Sequence, residues 1–232
     1  GQPVPPLGSV ICAAVLRDRG FEVSFFDAMV ATSESDCAAL MDRVRPAALV
    51  IFEDNFNYLS KMCLARMREA AATMIGMARE RGIEVIVAGS DASDDPRFFL
   101  DAGALAVAKG EGELTVAEWL SADPGSRFAV PGVVTVADGG DLRAAPPRPP
   151  IRDLDSLPSP AWDLIDLEAY RRVWMDRHGR FSLPLATSRG CPFHCNWCAK
   201  PIWGQRHNTQ SPSRAAREVR TLKGLGATHV NI

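Results

Sequence analysis

Three of the six cysteines in this 232-residue chain fall within one short run, Cys191-Pro-Phe-His-Cys195-Asn-Trp-Cys198. Thiolates hold iron–sulfur clusters. A spacing of three residues and then two suits three ligands of a four-iron cluster and leaves one iron without a protein thiolate. An open iron can take an exogenous ligand and do chemistry on it. Three other readings of the loop stay open on spacing alone. Zinc favours four nitrogen or sulfur ligands, so the three thiols with His194 or His207 could hold it. A cluster there could also serve only electron transfer, or the thiols could form a disulfide with no role. The remaining cysteines, Cys12, Cys37 and Cys63, stand singly within helical patterns and read as small buried hydrophobes.

The thiols need elements to hold them. Leu183–Thr187 predicts a strand that delivers the cysteine loop at its carboxyl end, Ser213–Leu225 a helix, and Thr228 the start of another strand. In barrel folds such strand-to-helix loops form the catalytic face. Further upstream, short apolar strands alternate with amphipathic helices. Leu7, Val10, Ile11, Ala14 and Val15 make an apolar stripe ended by Gly20, followed by a strand Phe21–Phe26. Ser33 or Ser35 starts a helix through Val44. Then come strand Ala47–Phe52, a long helix Tyr58–Arg81, strand Ile83–Ala88, helix Asp95–Ala102, strand Leu105–Ala108 and helix Glu113–Leu120. This alternation predicts βαβ units on a parallel sheet, a flavodoxin-like or Rossmann-like α/β domain of five strands once a strand before residue 1 is counted. Ligands on such sheets sit at the carboxyl ends of the strands, near Asp27, Glu53, Gly89 and Lys109. Val130–Val136 and Leu142–Ala145, around Asp138-Gly-Gly140, predict a hairpin. Pro146-Pro-Arg-Pro-Pro150 is a stiff linker, and Asp153–Asp166 an irregular strap.

Composition narrows the class. With 47% hydrophobic and 23% charged residues the chain can bury a core. No apolar run reaches the roughly 20 residues that span a bilayer, and no secretory leader pattern opens the chain. Clustered cysteines fit a reducing compartment, so a cytoplasmic protein is expected. Residues 1–180 hold 19 Lys/Arg against 27 Asp/Glu, whereas residues 181–232 hold 7 against 1. The basic segment beside the thiols could attract an anionic ligand. The acidic first part and the lack of a nucleic-acid-binding motif argue against nucleic acid as partner.

Ala186-Thr-Ser-Arg-Gly-Cys191, the cysteine triplet and Trp203-Gly-Gln-Arg206 resemble the radical S-adenosylmethionine (SAM) superfamily. Within it the chain resembles the branch with an N-terminal cobalamin (B12)-binding domain. Pro5-Pro-Leu-Gly8 with the helix to Gly20 matches that domain's opening helix. Gly89-Ser90-Asp91 falls where the branch has a glycine-rich loop, and Lys109-Gly110-Glu111-Gly112-Glu113 follows its fifth strand. Glycines at strand ends let the backbone approach a large flat ligand.

The resemblance implies a [4Fe-4S] cluster on Cys191, Cys195 and Cys198, chelated at its open iron by the SAM amine and carboxylate, with Trp197 beside the adenine. Reduction of the cluster would cleave SAM to a 5′-deoxyadenosyl radical. It also implies cobalamin contacts at Pro6, Leu7, Gly8, Glu53, Asn55, Gly89, Ser90, Asp91, Gly110, Glu111 and Gly112. The loop Phe52-Glu-Asp-Asn-Phe-Asn57 departs from the small hydroxyl residues of the branch, and Asp91 stands where histidine is common. No Asp-x-His-x-x-Gly motif is present, so no lower histidine ligand to cobalt is expected.

The implied domains are residues 1–137, cobalamin-binding-like; 138–180, hairpin, linker and strap; and 181–232, the start of a partial (β/α) radical SAM barrel. The loop-like opening and the strand starting at Thr228 suggest a fragment with a further strand before and more barrel after. The implied activity is cobalamin-dependent methylation of an unactivated carbon in a small-molecule substrate, with flavodoxin or ferredoxin as electron donor. Radical cyclisation or rearrangement without net methylation, RNA modification, a corrinoid-binding module and a cofactor-free scaffold are the alternatives. No membrane partner is expected.

Overall fold

The structure, a computed structural model, describes residues 3–53, 63–193, 195, 203, 204 and 206–232. Helix α1 (Leu7–Asp18) is buried almost all round, from Leu7 through Leu16. A helix apolar on every side must be covered on every side, and α1 lies between the sheet and the later strap. Helix α2 (Glu34–Val44) opens on a capping box, in which Asp36 Oδ2 accepts the Ser33 amide at 3.2 Å. That places two backbone donors that the helix itself cannot satisfy.

Strand β1 (Ala48–Phe52), helix α3 (Leu64–Glu80), strand β2 (Glu84–Ala88), helices α4 (Ser90–Asp94) and α5 (Pro96–Ala102), strand β3 (Ala106–Ala108) and helix α6 (Glu113–Ser121) come next in chain order. Strands β1, β2 and β3 pair in parallel, Val50 opposite Ile86 and Val87 opposite Val107. The expected hairpin forms as β4 (Val133–Val136) and β5 (Leu142–Ala144). It extends the same sheet, antiparallel, in the order β1-β2-β3-β4-β5.

The two-residue period of β2 divides the core. Val85 and Val87 face Met41, Ile75 and Phe99, whereas Ile86 and Ala88 face α1, Val116 and Trp119. Each fully buried Val or Ile contributes about 1.5–3 kcal/mol.

Two expectations change. The segment Phe21–Phe26, expected as a strand, joins no ladder among the described residues. An extended segment becomes a strand only where a neighbour supplies ladder hydrogen bonds. The free edge of β1 supplies none to it, and a cavity of about 820 Å³ is lined by both, through Val23, Phe25, Leu49 and Ile51 among others. The loop expected after β2 is instead the single-turn helix α4.

Past the linker, the strap keeps its irregular path with two 3₁₀ turns, Leu154–Ser156 and Trp162–Leu164. Helix α7 (Leu167–His178) is absent from the sequence-based expectations, because its polar sequence hides the helical stripe. Its end signals are nonetheless present. Asp166 accepts the Glu168 and Ala169 amides at 3.0 and 3.1 Å, and Gly179 closes it. Strand β6 (Ser182–Pro184) and strand β9 (His229–Asn231) pair in parallel across helix α8 (Pro212–Gly224). Strand β7 (Ser188–Arg189) pairs antiparallel with β8 (Asn208–Thr209). One hydrophobic cluster runs from α1 and the sheet through Leu154, Trp162 and Tyr170 to Phe181, Leu183 and Leu222. Among the described residues, no helix is long and apolar enough to cross a membrane.

Candidate cofactor site

The carboxyl ends of β1, β2 and β3 meet along one edge. Glu53, just past β1, turns its carboxylate onto the β2 end, where Oε2 accepts the Asp91 amide at 2.8 Å and Oε1 the Ser90 hydroxyl at 3.2 Å. Gly89 permits this approach. Its φ is +141°, and a Cβ there would lie 2.3 Å from Glu53 Cβ. The β2 and β3 loops are tied by Ser93, whose hydroxyl donates to Gly89 O at 2.7 Å and accepts the Gly110 amide at 2.9 Å. The start of α1 joins the same edge, with Ser9 Oγ donating to Phe52 O at 2.9 Å.

Thus Glu53, Gly89, Ser90, Asp91, Gly110 and Gly112 come together, with Pro6, Leu7 and Gly8 adjoining through Ser9. Asn55 lies outside the described residues. Asp91 does not stand bare. Arg68 grips it bidentately, at 2.6 and 2.7 Å, reaches Asp95 at 3.1 Å, and stacks 5.0 Å over the Phe98 ring. Its hydrogen bonds to Asp91 hold the guanidinium charged well above its ordinary range, against a burial cost.

Glu111 sits differently from its glycine neighbours. Its side chain is buried and turns away to Arg189 (Nη1 to Oε1, 3.2 Å), while Oε2 accepts the Ile151 amide. Glu113 Oε1 takes Arg189 Nη2 at 2.7 Å. Burial opposes the Arg189 charge, and the pull of Glu113 and Glu111 overcomes it, raising its pKa. Burial pushes the Glu111 carboxyl upward, against its hydrogen bond from Ile151.

Arg189 leads directly to the thiols. The β7–β8 pair closes the base of the cysteine loop, and Gly190 comes next with φ +82°; a Cβ there would lie 1.9 Å from Arg206 O. Only glycine lets the loop cross here. Cys191 is half-buried and Cys195 exposed, both as free thiols, with Phe193 largely in solvent between them. His194, Trp197 and Cys198 lie outside the described residues. Cys12 and Cys37 are buried as expected, their thiols pushed up by burial. Cys63 is instead exposed, just ahead of α3.

These residues fit the two implied groups. The tied strand ends offer a platform of glycine and small side chains, suited to a broad ligand. The free thiols at the loop mouth are soft donors, suited to iron. Ser93, Arg68 and Arg189 are additions that sequence reasoning misses. For Arg189 a signal exists, since residues 181–232 contain a single acidic residue, Glu218. Glu218 is engaged by Arg214 and Ser159, so a buried arginine beside the thiols must find its carboxylates in the first part of the chain.

A family model of the B12 binding domain matches residues 1–120. An uncharacterized methyltransferase of Pyrococcus horikoshii is 26% identical over 228 residues, covering 96% of this chain and 46% of the relative. The hopanoid C-3 methylase of Methylococcus capsulatus is 29% identical over 229 residues, 95% of this chain and 41% of the relative. The chain therefore spans less than half the length of these two. Among solved structures, the cobalamin-dependent SAM radical enzyme OxsB with aqua-cobalamin and SAM bound superposes with a TM-score of 0.74 at 20% identity. The match covers 98% of this chain and 31% of OxsB, and it shows a shared fold.

Proposed function

For a chain that belongs to the B12 binding domain family, we propose the role of cobalamin platform and cluster loop in a cobalamin-dependent radical SAM enzyme. The reaction is methylation of an unactivated carbon in a small-molecule substrate. The observation that carries this reading is the buried bridge from Arg189 to Glu111 and Glu113, which sets the cysteine loop beside the strand ends of a B12-type sheet. The similarity to proteins named as methyltransferases supports methyl transfer as the outcome.

When bound, the two cofactors supply reductive cleavage of a sulfonium and storage of a methyl group, and the protein supplies placement. Cys191, Cys195 and Cys198 would hold a [4Fe-4S] cluster, and Trp197 would contact SAM. Pro6–Gly8, Glu53, Asn55, Gly89–Asp91 and Gly110–Gly112 would border the corrin. Glu53, Ser90 and Asp91 already satisfy one another and Arg68. They therefore shape the platform more than they offer charge to it. A flavodoxin or ferredoxin supplies electrons, in the cytoplasm.

The test is an anaerobic assay of iron, sulfide and cobalt on the reconstituted full-length protein, with visible spectra before and after dithionite and SAM. About four irons per chain are expected for this cluster type, lost in Cys195→Ala, together with bound cobalamin. Iron without cobalamin would reduce the sheet to a scaffold, and zinc without iron would end the radical reading.

A further inference from the structure

We propose that Arg189, Glu111 and Glu113 are positioning residues that set the register between the cysteine loop and the cobalamin-side edge of the sheet. The proposal rests on the function proposed above and concerns how the two cofactor halves keep their separation. Arg189 lies two residues before the first thiol. Its partners lie 78 and 76 positions away in sequence, Glu111 on the loop that leads from β3 into α6 and Glu113 as the first residue of α6. Glu111 is flanked by Gly110 and Gly112 of the platform. The contact therefore joins a residue two positions before the first thiol to the strand-end loop of the other site and the helix that follows it.

Three features favour a registering role over simple adhesion. All three side chains are nearly inaccessible, Arg189 at 3%, Glu111 at 5% and Glu113 at 2% exposure. Buried ion pairs are a poor source of net stability, because desolvation offsets the attraction, and apolar side chains would serve as well or better. What an arginine adds is geometry, because a planar fork on two carboxylates fixes direction as well as distance.

The second feature is a closed circuit. Glu111 also accepts the Ile151 amide, Asn208 Nδ2 donates to Ile151 O at 3.1 Å, and Asn208 pairs with Arg189 in the β7–β8 ladder. Linker, ladder and platform loop are thereby closed on one another.

The third feature is the glycine next to Arg189. Gly190 runs so close to Arg206 O that the loop cannot slide past it. Clamped on both sides, the loop presents Cys191 and Cys195 from a fixed base.

The test uses the full-length protein loaded with cob(II)alamin and the reduced cluster, both paramagnetic, so that pulsed EPR reads their separation directly. Arg189→Lys keeps the charge and loses the fork. It is expected to retain wild-type iron and cobalt while the dipolar coupling weakens and spreads into a distribution. Glu113→Gln, nearly isosteric, is expected to shift it in the same direction and serves if the lysine variant does not fold. Coupling as sharp as wild type in a fully loaded variant overturns the proposal, since adhesion alone would survive these changes.

If the wild type takes up neither iron nor cobalamin, it is the proposed function that fails. Positioning is then read without cofactors by hydrogen exchange. The amides of residues 189–193 are expected to exchange about tenfold faster in Arg189→Lys, with β2 and β3 unchanged. Equal protection in variant and wild type would overturn it there.

Discussion

Tyr170 on α7 donates its phenolic hydroxyl to Asp27 at 2.7 Å, across 143 positions of sequence. The ring is fully buried in the shared hydrophobic cluster, and the carboxylate ends the extended Phe21–Phe26 segment. This contact fastens α7 to the first part of the chain. In Tyr170→Phe the ring still packs but Asp27 loses a partner. A loss of about 1–3 kcal/mol is expected for a bond to a partly buried carboxylate, read by urea unfolding.

The same aspartate gives a pH signature. Burial raises the Asp27 pKa above its ordinary 3.8, against the lowering effects of Tyr170 and the Met29 amide. A carboxyl whose folded pKa is raised binds its proton more tightly in the folded state. Its contribution is therefore full below the ordinary value and is lost as pH rises through the folded one. Asp27→Asn cannot ionise. The melting temperature of the wild type relative to Asp27→Asn is expected to fall on going from pH 4 to pH 7. A flat difference would show that Asp27 keeps an ordinary pKa.

Ser93 binds two platform loops with one hydroxyl. Ser93→Ala leaves the Gly110 amide without its acceptor and frees the β3 loop from the β2 loop. The expected cost is about 1–3 kcal/mol of stability, measured by denaturant titration. Cobalamin affinity, followed by its visible absorbance, is expected to weaken as well.

Gly190→Ala places a methyl group against the Arg206 carbonyl at a positive φ. Backbone must move, at a cost of about 1–3 kcal/mol. The damage should be local. The expected outcome is a chain that still shows native circular dichroism but holds less iron after reconstitution, with Cys191 and Cys195 reacting faster with a thiol reagent.

Much of this molecule is governed by short-range rules. The two-residue period of Val85–Ala88, the capping box of Ser33 and Asp36, the terminal Gly179 and the spacing of Cys191 and Cys195 are all local in the chain. Each acts through neighbours a few residues away, so sequence alone determines the α/β alternation, the hairpin after β3 and the thiol-bearing loop. Tertiary structure decides the rest. Phe21–Phe26 has the residues of a strand, and only a neighbouring edge could make it one. The shortage of acidic residues in 181–232 sends their basic side chains elsewhere for carboxylates, but nothing local singles out Arg189 among those seven as the one that meets Glu111 and Glu113, or Asp27 as the partner of Tyr170. Which charges are desolvated together depends on which surfaces the fold presses into contact. That choice is made by packing between elements far apart in the chain, where no periodicity or spacing reaches.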